Sequence, residues 1–391
     1  MQQLDPEPPE VADAELVRSV IQRVATGPEL SKNISLAEAR SITRALVDGS
    51  VDPVQAAVIL IGLRMKRETD DEVRGVLDGL RDATINHTTA LDDVVAMAEP
   101  YNGFNRTLQG SLFALPVLAA CNCPTYSHGV ELCGPKYGVT HHSIFRALGG
   151  NPMASVEAVG KRLADPAIGW GYIDQSVFCP GLFGLNELRS RIVKRPVLST
   201  TEVLLAPLLG KKQTHLVTGY VHKPYRDTYA MLARHAGFAS LLLVRGTEGG
   251  VIPSFRGRAH VVRYHARDTG VDGSEELDID LAAINMDREY RAEDIPESMP
   301  LANSNPVQVE HERAGRRIGM KWDVQPLAQL CADKGVAALN GEPGAMRDAA
   351  VFGAAMTLWH LGQQPDMTAA VAAANAAIDS GAALQRLEAG L

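Results

Sequence analysis

Residues 30–82 read LSKNISLAEARSITRALVDGSVDPVQAAVILIGLRMKRETDDEVRGVLDGLRD. The run carries repeated helix signals and no strand signal. Ser35-Leu-Ala-Glu38 and Thr69-Asp-Asp-Glu72 are capping boxes. In each, the hydroxyl accepts an otherwise unpaired backbone N–H and the glutamate returns the bond. Asp52-Pro53 opens a third helix, since proline lacks only an N–H that the first turn leaves unpaired anyway. That helix, VQAAVILIGLRMK, is apolar nearly all round, so burial is expected for it. Residues 11–86 are expected to form four helices, and residues 1–10, acidic and proline-rich, a disordered lead-in.

Beyond residue 92 the pattern changes. Short apolar runs alternate with helical ones: VLAACNCPTYS then HHSIFRALGG, THLVTGYV then YRDTYAMLARHAG, and ASLLLVRG next. Alternation at this spacing implies a mostly parallel sheet covered by helices. The stretch 254–268 reads as a strand pair, 272–297 as an acidic loop, and the chain closes on helices at 344–361 and 366–388. The fold class is α/β, with a small amino-terminal helical domain at 11–90 and a larger α/β domain at 91–391.

Composition sets limits. The chain has 391 residues, 46% hydrophobic and 21% charged, enough for two domains with a sizeable core. A net charge of −8 argues against a wholly basic nucleic-acid binder. No apolar run approaches the ~20 residues of a membrane span, and the start MQQLDPEPPE lacks signal-peptide character. Five cysteines in no framework pattern fit a reducing cytoplasm.

Several stretches agree, in order, with one family. The turn-helix at Gly49–Ala56, the run Leu63–Glu72, GEPGAMRDAAVFGAAMTLWHLG at 341–362 and the ending AAIDSGAALQRLEAGL resemble anthranilate phosphoribosyltransferase. The resemblance covers nearly all of the chain beyond residue 10. It implies a helical domain against a larger α/β domain with the substrate cleft between them, a homodimer through the helices, and transfer of a phosphoribosyl group from phosphoribosyl pyrophosphate to an amine. Such chemistry rests on positioning and electrostatics.

The same resemblance implies a site, and the chain departs from it. SHGVELCGPKYG (127–138) aligns on the family's phosphate loop. His128, Gly129, Lys136 and Gly138 agree, while Ser127, Val130 and Glu131 replace a lysine, an asparagine and an arginine. The pyrophosphate loop falls at Glu99–Gly103, with one glycine left, and Asn102, Gly103, Asn105, Arg106 and Thr107 stand as replacement donors. Val251 and Ile252 take the place of a magnesium-binding acidic pair, and an apolar pair cannot hold a hard cation. Magnesium is therefore expected only if phosphoribosyl pyrophosphate is a substrate. Arg189 occupies the position that faces the acceptor's carboxylate. The expectation is a divergent relative that binds a small phosphorylated ribosyl ligand, with transfer to a small acceptor left open.

Three further signals have two readings each. Cys121, Cys123, His128, Cys133, His141 and His142 crowd together, as zinc ligands or, better, as buried small apolar groups and loop histidines. Arg189, Arg191, Lys194, Arg195, Lys211, Lys212, Lys223 and Arg226, followed by Arg256, Arg258, Arg263 and Arg267, form a basic strip. It is either a nucleic-acid surface, as divergent relatives of this family suggest, or a solvated face neutralised by the acidic stretch. Glu131 is either a general base or, as favoured here, the partner of Lys136.

Overall fold

A computed structural model describes residues 14–27, 29–266, 274–288 and 324–391. Four helices come first: α1 (Ala14–Val24), α2 (Leu36–Val47), α3 (Pro53–Lys66) and α4 (Asp70–Asp82). Both capping boxes close. The Ser35 hydroxyl accepts the Glu38 N–H at 3.2 Å and the Ser35 N–H donates to Glu38 at 2.8 Å; Thr69 and Glu72 exchange the same bonds at 3.4 and 2.7 Å. Glu72 can be buried because Lys66 (2.6 Å) and the Ile34 N–H (2.9 Å) also reach it. Asp52 caps α3 by accepting the Val54 N–H at 2.9 Å. α3 departs from the expected burial: Ile59, Leu60 and Leu63 are buried in the bundle, but Val54, Val58 and Met65 are exposed.

The rest is built on a sheet. β1 (His87–Thr88) and β5 (Leu208–Leu209) make a separate short pair. β2 (Asp93–Ala98), β3 (Thr125–Gly129), β4 (Trp170–Asp174), β6 (Gln213–Gly219), β7 (Ser240–Val244), β8 (Arg258–His265) and β9 (Glu275–Asp280) form one sheet in the order β4-β3-β2-β6-β7-β8-β9. Pairing is parallel from β4 to β7 and antiparallel at β8 and β9. The fold is thus a helical bundle beside a larger α/β part with a mostly parallel sheet.

Period-two alternation splits the core between the sheet's faces. Val94, Ala96 and Ala98 pack on the side shared with α1–α4, while Val95 and Met97 face helices Gln325–Leu339 and Ala345–His360. Leu241 and Leu243 divide from Leu242 and Val244 in the same way. Strands buried on both faces read as unbroken apolar runs.

Some expectations are corrected. Within 117–127 the chain is not one strand. Ala114–Ala120 is a helix, α5, Cys121 caps it, and the strand starts only at Thr125. A short alanine-rich apolar run fits helix and strand equally by periodicity. The 254–268 stretch supplies one strand, β8, and its partner β9 lies in the acidic stretch read as loop. Cross-strand pairs such as Arg263–Glu275 (2.9 Å) and His260–Asp278 hold the two together. The last expected helix breaks in two, Met367–Asp379 and Ala382–Gly390, at Gly381 with φ 77°. The lead-in 1–10 and residues 289–297 lie outside the described residues.

The bundle is joined to helix Lys223–His235 of the α/β part by polar contacts, including Arg64–Tyr225 (3.1 Å) and Asp78–His235 (2.8 Å). No single helix among the described residues is long and apolar enough to cross a membrane. The loops leaving β2, β3 and β7 gather at the carboxyl ends of these parallel strands, where open α/β sheets bind ligands.

Candidate anion site

Two loops are joined edge to edge at this end of the sheet. Phe104 and Val139 exchange backbone hydrogen bonds at 2.8 and 2.7 Å, and the Gly138 N–H donates to the Asn102 carbonyl at 2.9 Å. The approach is so close that a Cβ on Gly103 would lie 2.3 Å from the Gly138 carbonyl oxygen, and one on Gly138 would lie 2.3 Å from the Phe104 nitrogen. Gly103 also sits at φ 70°, where glycine carries no steric penalty. Both glycines were expected at a phosphate. In the structure they serve this backbone junction.

The junction aims donors at one point. The N–H groups of Arg106 (2.8 Å) and Thr107 (2.9 Å), with the Thr107 hydroxyl (3.2 Å), reach Oε1 of Glu248. The Asn105 N–H (3.3 Å) and the Lys136 ammonium (2.7 Å) reach Oε2. The Arg106 guanidinium lies 3.8 Å away and is largely exposed. Four expected phosphate-binding residues therefore do converge, but on a carboxylate of the chain itself. Successive backbone N–H groups with a nearby cation form an anion-binding concavity. Sequence reasoning passed over Glu248. The available signal was an acid among glycines, GTEGG at 246–250, directly after strand ASLLLVRG.

The charges in this seat are unequal partners. Burial pushes the Glu248 carboxyl upward, but Lys136 and the loop N–H groups outweigh it and leave the group below its ordinary range. Lys136 is also lowered, because burial of the ammonium outweighs the help from Glu248. The carboxylate has many partners, whereas Glu248 is the one carboxylate hydrogen-bonded to the lysine among the described residues. Glu131 is not that partner: it pairs with Arg146 at 2.6 Å at the surface.

Beneath the seat lies a buried polar layer. Ser127 and His128 are buried on β3, with Gly129 next to them at the strand's end. His128 Nδ1 meets the Tyr101 hydroxyl. Glu99 Oε1, Ser111 Oγ, His141 and Ser127 Oγ form a chain with links of 2.5, 2.9 and 2.6 Å. Burial raises the Glu99 carboxyl and lowers both His128 and His141 to about 3. Glu99 Oε2, Gln109 Nε2 and His128 Nε2 have no hydrogen-bond partner among the described residues. Their side chains line a cavity of about 10 Å³, room for roughly one water.

Arg189 is not among the groups that bond Glu248. Its terminal nitrogens clasp Glu202 at 2.7 and 2.8 Å, and Ser199 takes a further bond at 3.2 Å. Both charged groups are almost wholly buried. An acceptor carboxylate expected here would meet a guanidinium already neutralised, with Nε alone lacking a partner among the described residues. Arg195 also approaches the loops, its guanidinium lying 2.8 and 3.0 Å from the Asn102 side-chain amide. The basic strip is broken up by acids: Arg191 pairs with Glu187, Lys212 with Asp92 (2.7 Å), Arg226 with Asp227 and Glu276 (2.8 and 2.6 Å), and Arg263 with Glu275.

The groups present do not fit magnesium. Val251 and Ile252 are buried and apolar, Glu248 is committed to its donors, and a hard cation needs several oxygen ligands. Zinc is no better served, with His141 on serines and His142 Nδ1 on Asp174 at 2.7 Å. Among the described residues no group of three or more His, Cys, Asp or Glu gathers as a metal site.

Comparison with known proteins agrees with this architecture. Residues 18–84 match the glycosyl transferase family helical bundle domain. An anthranilate phosphoribosyltransferase of Rhodopseudomonas palustris (strain BisA53) is 26% identical over 95% of this chain and 96% of its own length. An uncharacterised Aquifex aeolicus protein is 27% identical over 57% of this chain and 65% of its own length. The Thermus thermophilus anthranilate phosphoribosyltransferase structure superposes with a TM-score of 0.70, at 21% identity, over 96% of this chain and 97% of that one. The Saccharomyces cerevisiae enzyme in complex with PRPP and Mg superposes with a TM-score of 0.72, at 14% identity, over 97% and 98%.

Proposed function

We infer what an anthranilate phosphoribosyltransferase-like protein of glycosyltransferase family 3, which this chain is, does with so altered a site. The reading is that it binds the phosphate of a small phosphorylated ribosyl ligand at the Asn105–Thr107 and Lys136 seat. One observation carries this: three backbone N–H groups, a hydroxyl and an ammonium meet on a single anionic group. Where the ligand also bears a leaving group, transfer of the phosphoribosyl unit to a small acceptor follows from positioning and electrostatics. The relatives' own acceptor, anthranilate, is disfavoured, because Arg189 is sequestered by Glu202.

Turnover of phosphoribosyl pyrophosphate with anthranilate is therefore expected to be absent or at least about a thousandfold below an ordinary enzyme. Losing three charge-assisted contacts, at ~1.5–3 kcal/mol each, accounts for that factor at ~1.4 kcal/mol per tenfold. A homodimer through the exposed α3 face, with Val54, Val58 and Met65, belongs to the same reading. Nucleic acid is the weaker partner, since much of the basic strip is matched by carboxylates.

The test is a calorimetric screen of phosphate, ribose 5-phosphate, phosphoribosyl pyrophosphate and an oligonucleotide against the chain and Lys136→Ala. Phosphate-ester binding that is lost in Lys136→Ala supports the reading. Binding that survives the substitution unchanged sinks it.

A further inference from the structure

The seat already holds an anion that belongs to the chain. We propose that Glu248 is an internal stand-in for the ligand's phosphate, so that ligand binding and release of Glu248 are a single exchange. This rests on the anion-seat reading above and adds its regulation: the site is closed by its own carboxylate until a phosphomonoester displaces it.

Three observations carry the inference. First, both oxygens of Glu248 are engaged by the donors a phosphate would use, so the two occupants exclude each other. Second, the seat needs an anion. Without one, a largely buried ammonium and inward-facing N–H groups would lose their partner, which is strongly unfavourable. Third, the backbone holds Glu248 in an uncommon conformation. Glu248 is held at φ 54°, ψ 11°, a left-handed conformation unfavourable for a residue with a Cβ. Gly246 precedes it and Gly249, at φ 93°, follows with Gly250. Leaving the seat frees that conformation to relax.

The direction of exchange follows from charge. A phosphomonoester carries close to two negative charges and three acceptor oxygens, against one charge and two oxygens for a carboxylate. The exposed Arg106 guanidinium, 3.8 Å from Glu248, is within reach of a third oxygen. The chain's own carboxylate then lowers the apparent affinity by the fraction of molecules whose seat is open. It also keeps Lys136 neutralised when no ligand is present.

The experiment is calorimetry of the full chain with inorganic phosphate, comparing it with Glu248→Ala. Removing the competitor is expected to tighten phosphate binding by about tenfold or more. Equal affinities overturn the exchange and leave the anion seat standing. Absence of binding in both, with the variant folded by circular dichroism, sinks the seat and the exchange together. Should Glu248→Ala fail to fold, Glu248→Gln is read by the same criteria. Hydrogen–deuterium exchange on the unaltered chain gives an independent measure. With saturating phosphate, residues 246–250 should exchange faster while residues 105–107 become slower. Unchanged or slower exchange at 246–250 overturns the proposal.

Discussion

Glu248 and Lys136 make one ion pair, yet removing either partner should have very different consequences. In Lys136→Met, Glu248 keeps its N–H donors and the Thr107 hydroxyl. The loss is one charge-assisted hydrogen bond, partly offset because no ammonium is buried, so about 1–2 kcal/mol is expected. In Glu248→Ala, Lys136 is left without its carboxylate in a largely buried position. Its escape is to give up the proton. From an ordinary pKa of 10.5, that is bounded at about 5 kcal/mol at pH 7, at ~1.4 kcal/mol per pH unit. The Phe104 ring, 5.2 Å from the ammonium, softens this by ~1 kcal/mol, so about 3–5 kcal/mol is expected.

The pH dependence is the sharper mark. In that variant the folded-state pKa of Lys136 lies below the unfolded one, so the unfolded chain binds more protons and stability rises with pH. The lysine's share of the penalty should shrink to about 1–2 kcal/mol near pH 9.5 and vanish towards 10.5, leaving the pH-independent loss of the acceptor for the 105–107 donors. Urea denaturation in phosphate-free buffer at both pH values measures it. Equal penalties for the two variants, or a Glu248→Ala penalty independent of pH, would refute the reasoning.

Two more outcomes follow from other buried charges. His128 and His141 are held neutral with pKa values of about 3, so the unfolded state takes up protons first and stability should fall as pH drops from about 6.5 towards 3. The decline should flatten in His141→Gln, as read by urea midpoints between pH 4 and 7; identical slopes would dismiss the histidines as its cause. Glu202→Gln, which leaves buried Arg189 without its carboxylate, should lose about 3–5 kcal/mol, while the double variant Arg189→Met/Glu202→Met should lose far less. Thermal denaturation of the three chains decides this, and equal losses would mean that the pair's charges are not what matters.

The helical bundle was legible because its signals are local. A capping box is four residues long, and both boxes closed as read. The sheet was legible as alternation, but its edges were not. β9 is acidic and largely exposed, and it is held as a strand where β8 presents Arg263 and His260 opposite Glu275 and Asp278. At the site, residues next to one another in sequence were found as a group, and the partner 112 positions from Lys136 was not. Glu131 looked like the natural mate for Lys136 because it is five residues away. The loop turns it instead towards Arg146, while the junction at Gly103 and Gly138 carries Lys136 inward. Nothing local in a sequence distinguishes those two directions.

The backbone junction between the 99–107 and 130–138 loops has a consequence for how such a site can change over time. Its hold comes from main-chain hydrogen bonds and two glycines, none of which depends on the side chains that meet a ligand. Shape and chemistry are therefore separately heritable. Side chains at 127 and 131 can change while the junction still delivers Lys136 and the 105–107 N–H groups to the same point. A lineage can thus retire one substrate and take up another without passing through an unfolded ancestor. The positions where substitution should be most damaging are Gly103 and Gly138, where an added Cβ would meet backbone atoms at 2.3 Å.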